Sequence, residues 1–160
     1  MQNSLPQTHL AHEEFIRQSI EIAAGARSKG NHPFGSLLVD EDGRIMLTGE
    51  NAVVTEGDIT GHAEINLIRE ASKTFSREAL SKATLYASTE PCMMCCGAIH
   101  WAGIPRVVFG CSSATLGKIV GSSDFQVPCR EVFSRSAQPV VEVVGPVLEE
   151  EAVAVHKGYW

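Results

Sequence analysis

Two short runs in this 160-residue chain carry chemically capable residues at telling spacings: His62-Ala63-Glu64 and Pro91-Cys92-Met93-Met94-Cys95. Cys92 and Cys95 are one helical turn apart, so their thiolates can grip one tetrahedral Zn²⁺ from a single helix face. Pro91 suits the first turn of a helix, and a helix N-terminus favours the thiolate through its dipole. Cys96 is one residue further round and points elsewhere. A lone C-x-x-C also fits a redox pair, half of a structural zinc site or two small buried residues. His62, from a second helix start, adds a third ligand and leaves the fourth position to water. That is the catalytic arrangement, whereas structural sites are closed. Cys96, Cys111 and Cys129 stay open as a fourth ligand, none of them convincingly placed. Glu64 then has a role. Zinc lowers the pKa of its bound water to roughly 7, and a nearby carboxylate can take that proton and return it to a leaving group. Regular helix geometry is the obstacle, because positions i and i+2 lie about 200° apart. Taken alone, an acidic first turn is an ordinary helix start.

These runs need elements to position them. Phe15, Ile16, Ile20, Ala23 and Ala24 give helical spacing over 8–29, closed by Gly30. Phe34–Val39 and Arg44–Thr48 read as strands joined by the Asp40-Glu41-Asp42-Gly43 turn. A polar stretch from Gly49 to Gly61 follows. Ile65, Ile68, Ala71 or Ser72, and Phe75 then mark a helix, and Thr84–Ser88 a strand. A helix from Pro91 to Trp101 is broken by Gly103-Ile104-Pro105, before a strand at Arg106–Phe109. Residues 111–127 read as a long functional loop with room for a short helix. Val140–Val144 is the last strand, and Leu148, Ala152, Val155 and Tyr159 form a final helical stripe. Helices alternating with the later strands imply parallel crossovers, and the early hairpin supplies one antiparallel pair. The expected fold is α/β: a three-layer α/β/α sandwich with a five-stranded mixed sheet, as a single domain over 1–160. Ligands in such sheets bind at the carboxyl ends of strands, where helices begin.

Composition narrows the function. Thirteen Lys+Arg against 19 Asp+Glu leave a net charge of −6, which counts against binding through phosphates. No basic-then-apolar leader and no membrane-length apolar run is visible, and three of five cysteines cluster at 92–96. The expected location is cytoplasmic.

In this order, His62-Ala63-Glu64 and Pro91-Cys92-Met93-Met94-Cys95 match the zinc-deaminase pattern H-x-E…P-C-x-x-C. The chain thereby resembles the cytidine deaminase-like superfamily, from the first helix to about Gly110. The resemblance implies that His62, Cys92 and Cys95 are the metal ligands and Glu64 the proton shuttle. Hydroxide would attack the amino-bearing carbon of a nucleobase, and ammonia would leave. It also implies a substrate contact from the backbone N–H beside Ala63.

His32-Pro33-Phe34-Gly35 is similar to the strand start of the guanine, cytosine and tRNA adenosine deaminase branch. There Phe34 resembles a residue stacked on the base, with an ordinary core phenylalanine the alternative. Asn51 resembles the asparagine whose amide bonds the base. Ala98-Ile99-His100-Trp101-Ala102 resembles guanine deaminases, so Trp101 either walls the pocket or pads the helix end. Gly158-Tyr159-Trp160 resembles an aromatic tail closing over the site, with Tyr159 docking a last helix as the bland alternative. One departure concerns guanine: Cys111-Ser112-Ser113-Ala114-Thr115 lacks the acid that reads that base, and Asp124 comes later.

The expectation is a zinc-dependent hydrolytic deaminase of a free nucleobase, guanine-like rings first, then cytosine and small amino-pyrimidine or triazine rings. By resemblance it is a homodimer. Two alternatives stand beside it. Adenosine-to-inosine editing of tRNA would use the same chemistry, but residues 146–160 carry Glu149-Glu150-Glu151 and a single lysine, Lys157, in place of a basic helix. A zinc-stabilised structural domain would need a fourth ligand and no Glu64.

Overall fold

The computed structural model describes residues 5–122, 127–137 and 140–160. A five-stranded sheet runs through it in the order β2-β1-β3-β4-β5. β1 (Gly35–Val39) and β2 (Ile45–Glu50) make the expected hairpin, in whose turn the Asp40 carboxylate accepts from the Asp42 and Arg44 N–H groups. β3 (Thr84–Thr89), β4 (Arg106–Cys111) and β5 (Glu142–Val144) pair in parallel. One pairing departs from the sequence reading: β1 is antiparallel to β3 as well as to β2. The helical crossover sets β3 parallel to β2, and β1 lies between them, so a single strand gives two antiparallel pairs.

Around the sheet lie α1 (Leu5–Ser28), the single turns α2 (Val53–Glu56) and α4 (Arg77–Leu80), α3 (Ala63–Thr74), α5 (Met93–Ala102), α6 (Ser113–Val120), α7 (Cys129–Ser134) and α8 (Glu149–Ala154). The strands alternate with period two. Leu37, Val39, Tyr86 and Val108 pack with Ile16 on the α1–α8 side, while Leu38, Leu85, Val107 and Phe109 join Leu67, Ile99 and Phe133 of α3, α5 and α7. Both faces are covered, so every residue of β1 and β3 is buried. No helix among the described residues is long and apolar enough to cross a membrane.

The stretch 111–127 holds the short helix for which the sequence left room. β4 continues to Cys111, and α6 begins at once, its N-cap Ser112 accepting from the Thr115 N–H. Gly117 and the flanking serines hid the bounds of this helix from a reading based on apolar spacing. Asp124 lies outside the described residues. The last strand is shorter than expected, with Val140 exposed. The final helix stops at Ala154, and Tyr159 sits in the turns beyond it.

One close approach sets the height of α3 over the sheet. A methyl group on Gly49 would overlap the Ala63 carbonyl oxygen and come within 2.8 Å of the Leu67 Cβ. Only glycine lets the His62-bearing helix start lie so close to β2.

Candidate metal centre

His62 and Cys92 are the N-cap residues of α3 and α5, and neither side chain caps its own helix. His62 has extended backbone (φ −69°, ψ 151°), so the 200° objection from regular helix geometry does not apply to it. Both side chains are turned toward the same space. His62 Nδ1 lies 3.6 Å from Cys92 Sγ and 3.6 Å from Cys95 Sγ, and the two sulfurs are 3.7 Å apart. A tetrahedral zinc with Zn–S of about 2.3 Å and Zn–N of about 2.05 Å requires separations of about 3.75 Å (S–S) and 3.55 Å (S–N). The donors are therefore arranged for zinc.

No fourth cysteine or histidine joins this group among the described residues. Cys96 Sγ is within 3.5 Å of the Pro91 carbonyl, Cys111 Sγ contacts the Ser112 carbonyl, and Cys129 is buried at the start of α7. Three ligands and an open position match a catalytic site better than a closed structural one. Hydrogen bonds from Cys95 and His62 pull the Cys92 thiol down to about 4, which favours the ligating thiolate.

Glu64 lies in the first turn of α3, only 7% exposed, with Oε2 3.5 Å from Cys95 Sγ. Burial, reinforced by Cys92, pushes its carboxyl up to about 7. A carboxyl that titrates near neutrality can both take and return a proton.

Asn51 is buried directly after β2. Its N–H donates to the Phe34 carbonyl at 3.1 Å, and its Oδ1 accepts from the Val53 N–H. Among the described residues no partner takes its Nδ2. Ala63 is buried at the first position of α3, where backbone N–H groups are free of helical partners. Phe34 is half-buried, 5.4 Å from the His156 ring and 6.1 Å from Trp160. Tyr159 reaches the same place, its hydroxyl 2.8 Å from His32 Nδ1. Trp101 does not. It is 76% exposed, edge-on to His100, six residues beyond Cys95 and so about 9 Å further along α5. Within one chain the structure does not bring it to the metal donors.

Several residues here escaped the sequence reading. Arg27 donates to the Val155 and Lys157 carbonyls and lies 5.6 Å from the Tyr159 ring centre, pinning the tail to the end of α1. Glu90, directly before Pro91, accepts from the first N–H of both α6 (Ser113, 2.8 Å) and α7 (Cys129, 2.7 Å). Glu149 accepts from the Ser112 N–H and hydroxyl. Acids thus do reach the 111–115 stretch, but from other elements and already bonded to its backbone.

His156 is 1% exposed. Trp160 Nε1–H donates to its Nδ1 at 3.3 Å, so Nε2 carries the ring proton and donates to Thr89 Oγ1 at 3.1 Å. Burial, with Arg27 adding to it, lowers its pKa to about 4. The unfolded chain binds a proton here near pH 6.5 and the folded chain does not. This contribution to stability is therefore complete above about pH 6.5 and is lost as pH falls toward 4. Between pH 7 and pH 5 the loss is about 2 kcal/mol. Urea unfolding at both pH values checks it: His156→Gln is expected to lack that part of the acid sensitivity, and an unchanged pH dependence in the variant refutes the assignment.

Comparison with known proteins decides the family. The profile of the cytidine and deoxycytidylate deaminase zinc-binding region matches residues 10–111. The chain belongs to this family. The "Probable cytosine deaminase" of Schizosaccharomyces pombe is 41% identical over 150 residues, 91% of this chain and 90% of that protein. Guanine deaminase of Bacillus subtilis is 40% identical over 71% of this chain and 72% of its own. A tRNA-specific adenosine deaminase of Buchnera aphidicola is 40% identical over 65% and 68%. Guanine deaminase from Nitrosomonas europaea shares the fold, with a TM-score of 0.77 at 21% identity over 99% of this chain and 95% of that one. The deaminase is a hydrolytic enzyme of the cytidine deaminase superfamily, and zinc is its cofactor.

Proposed function

We propose that this deaminase acts on a free amino-substituted nucleobase, cytosine or guanine, or on a close pyrimidine or triazine analogue. The observation that carries the reading is the C-terminal tail. Tyr159 and Trp160 fold onto His32 and Phe34 of the same chain, giving the site an aromatic wall suited to one planar ring. A polynucleotide substrate calls for a basic groove, whereas α8 opens with Glu149-Glu150-Glu151. Cytosine comes before guanine, because the cytosine deaminase relative matches over nine-tenths of its length and 111–115 has no acid of its own.

His62, Cys92 and Cys95 hold the zinc, which when bound supplies a water acidified toward neutral pH. Glu64 accepts one proton of the attacking water and passes it to the ring nitrogen, then carries the second, from the added hydroxyl, to the amine, which departs as ammonia. Asn51 Nδ2 and the Ala63 N–H hold acceptors on the ring, and Phe34 lies against its face. In the homodimer, a second chain would cover the exposed Trp101 and Met94 of α5.

The second reading, editing of adenosine in tRNA, is favoured by the 40% identity to a tRNA-specific enzyme. An ammonia-release panel over cytosine, guanine, adenine, their nucleosides and a tRNA anticodon stem-loop separates the two. Turnover of cytosine or guanine is expected, and turnover on the stem-loop alone overturns the free-base reading.

A further inference from the structure

His32 opens the His32-Pro33-Phe34-Gly35 run, and the C-terminal tail holds it on two sides. Its ring stacks on Trp160 (centroids 5.5 Å apart, planes 19° apart) and meets Tyr159 edge-on at 5.8 Å. Its Nδ1 is 2.8 Å from the Tyr159 hydroxyl. A phenol is the stronger acid of this pair and a neutral imidazole nitrogen the better acceptor, so the hydroxyl donates to Nδ1. The ring proton then sits on Nε2. That atom has no partner among the described residues and is not sealed from solvent. Burial lowers the His32 pKa, with His62 adding to the effect, which favours the neutral ring. Two residues on, the Phe34 carbonyl is bonded to the N–H of Asn51.

Tyr159 therefore has its hydroxyl engaged, and the group that the tail presents is the histidine. We infer that His32 is a specificity-determining residue of the deaminase, whose Nε2–H, aimed by Tyr159 and Trp160, donates to the substrate ring and selects bases that carry a ring carbonyl. This rests on the free-base reading and extends it. With Asn51 Nδ2 and the Ala63 N–H, His32 makes a third donor around the ring. Three donors fit an edge of carbonyl oxygen and unprotonated ring nitrogen, as in 2-oxopyrimidines and 6-oxopurines. A ring without the oxygen leaves the imidazole N–H desolvated and unpaired, which is the strong form of discrimination.

The test compares kcat/KM for two pairs that differ in the oxygen: cytosine against 4-aminopyrimidine, and guanine against 2-aminopurine. The pair with the faster oxo member is carried through His32→Phe, His32→Gln and Tyr159→Phe. His32→Phe is expected to lower the oxo/deoxo ratio about 10- to 100-fold. His32→Gln places an amide N–H near the Nε2 position and is expected to recover part of the ratio. Tyr159→Phe, which frees the tautomer but keeps the ring, is expected to fall between wild type and His32→Phe. A loss of stability alone lowers both substrates together and leaves the ratio unmoved. An unchanged ratio in His32→Phe, or no recovery in His32→Gln, overturns the inference while the free-base reading stands. A wild-type enzyme that releases ammonia from none of the four rings overturns the inference, and one that turns over the tRNA stem-loop alone overturns the free-base reading with it.

Discussion

Glu64→Gln is expected to keep one zinc per chain while its kcat falls about 10²- to 10⁴-fold. The variant preserves the shape of a side chain that is nearly inaccessible to solvent and touches Cys95. It removes the ability to accept and return a proton. Because the metal donors among the described residues are His62, Cys92 and Cys95, the ion does not depend on this carboxylate. Metal analysis and single-turnover ammonia release on the same sample give both numbers. Full turnover in a zinc-replete variant would sink the proton-shuttle role.

Removal of the metal has the second large effect. A chelator is expected to abolish turnover, with added zinc restoring it, and to lower thermal stability at the same time. A ligand present at 1,000 times its Kd stabilises the native state by about 4 kcal/mol. For a domain of this size that is a Tm shift of roughly 8–16 °C. The physical cause is in the N-caps. His62 and Cys92 begin two helices without capping them, so two first turns share one ion for their order. Thermal melts of the loaded, stripped and reloaded protein measure this directly. Unchanged activity in the stripped protein would contradict a catalytic zinc.

The metal centre was legible because its ligands announce themselves locally. Cys92 and Cys95 sit behind a proline that starts a helix, and His62 and Glu64 bracket another helix start. What misled was the assumption that His62 belongs to the regular helix. As an N-cap it has extended backbone, and this brings its side chain beside Glu64 at one site. The alternating strands gave the sheet, but the second antiparallel partner of β1 depends on which strand lies between which, and no local pattern encodes that. The bounds of α6 were hidden by Gly117, and their decisive signal was the Ser112 cap. The tail was the least legible part. His32 and Tyr159 are 127 residues apart in sequence, so their pairing exists only once the sheet has brought the two ends of the chain together. Asp124, the one acid left to weigh beyond 111–115, lies outside the described residues.

The Glu90 carboxylate has a consequence for how the molecule divides its labour. Its two oxygens tie down the first residues of α6 and α7, and the backbone from which it projects runs directly into Cys92. The N-terminal ends of both helices are thus moored to the loop that carries a metal donor. One carboxylate is the joint between the reaction frame and the two helix starts that follow it in sequence, so a shift in either start is passed to the cysteine two residues on.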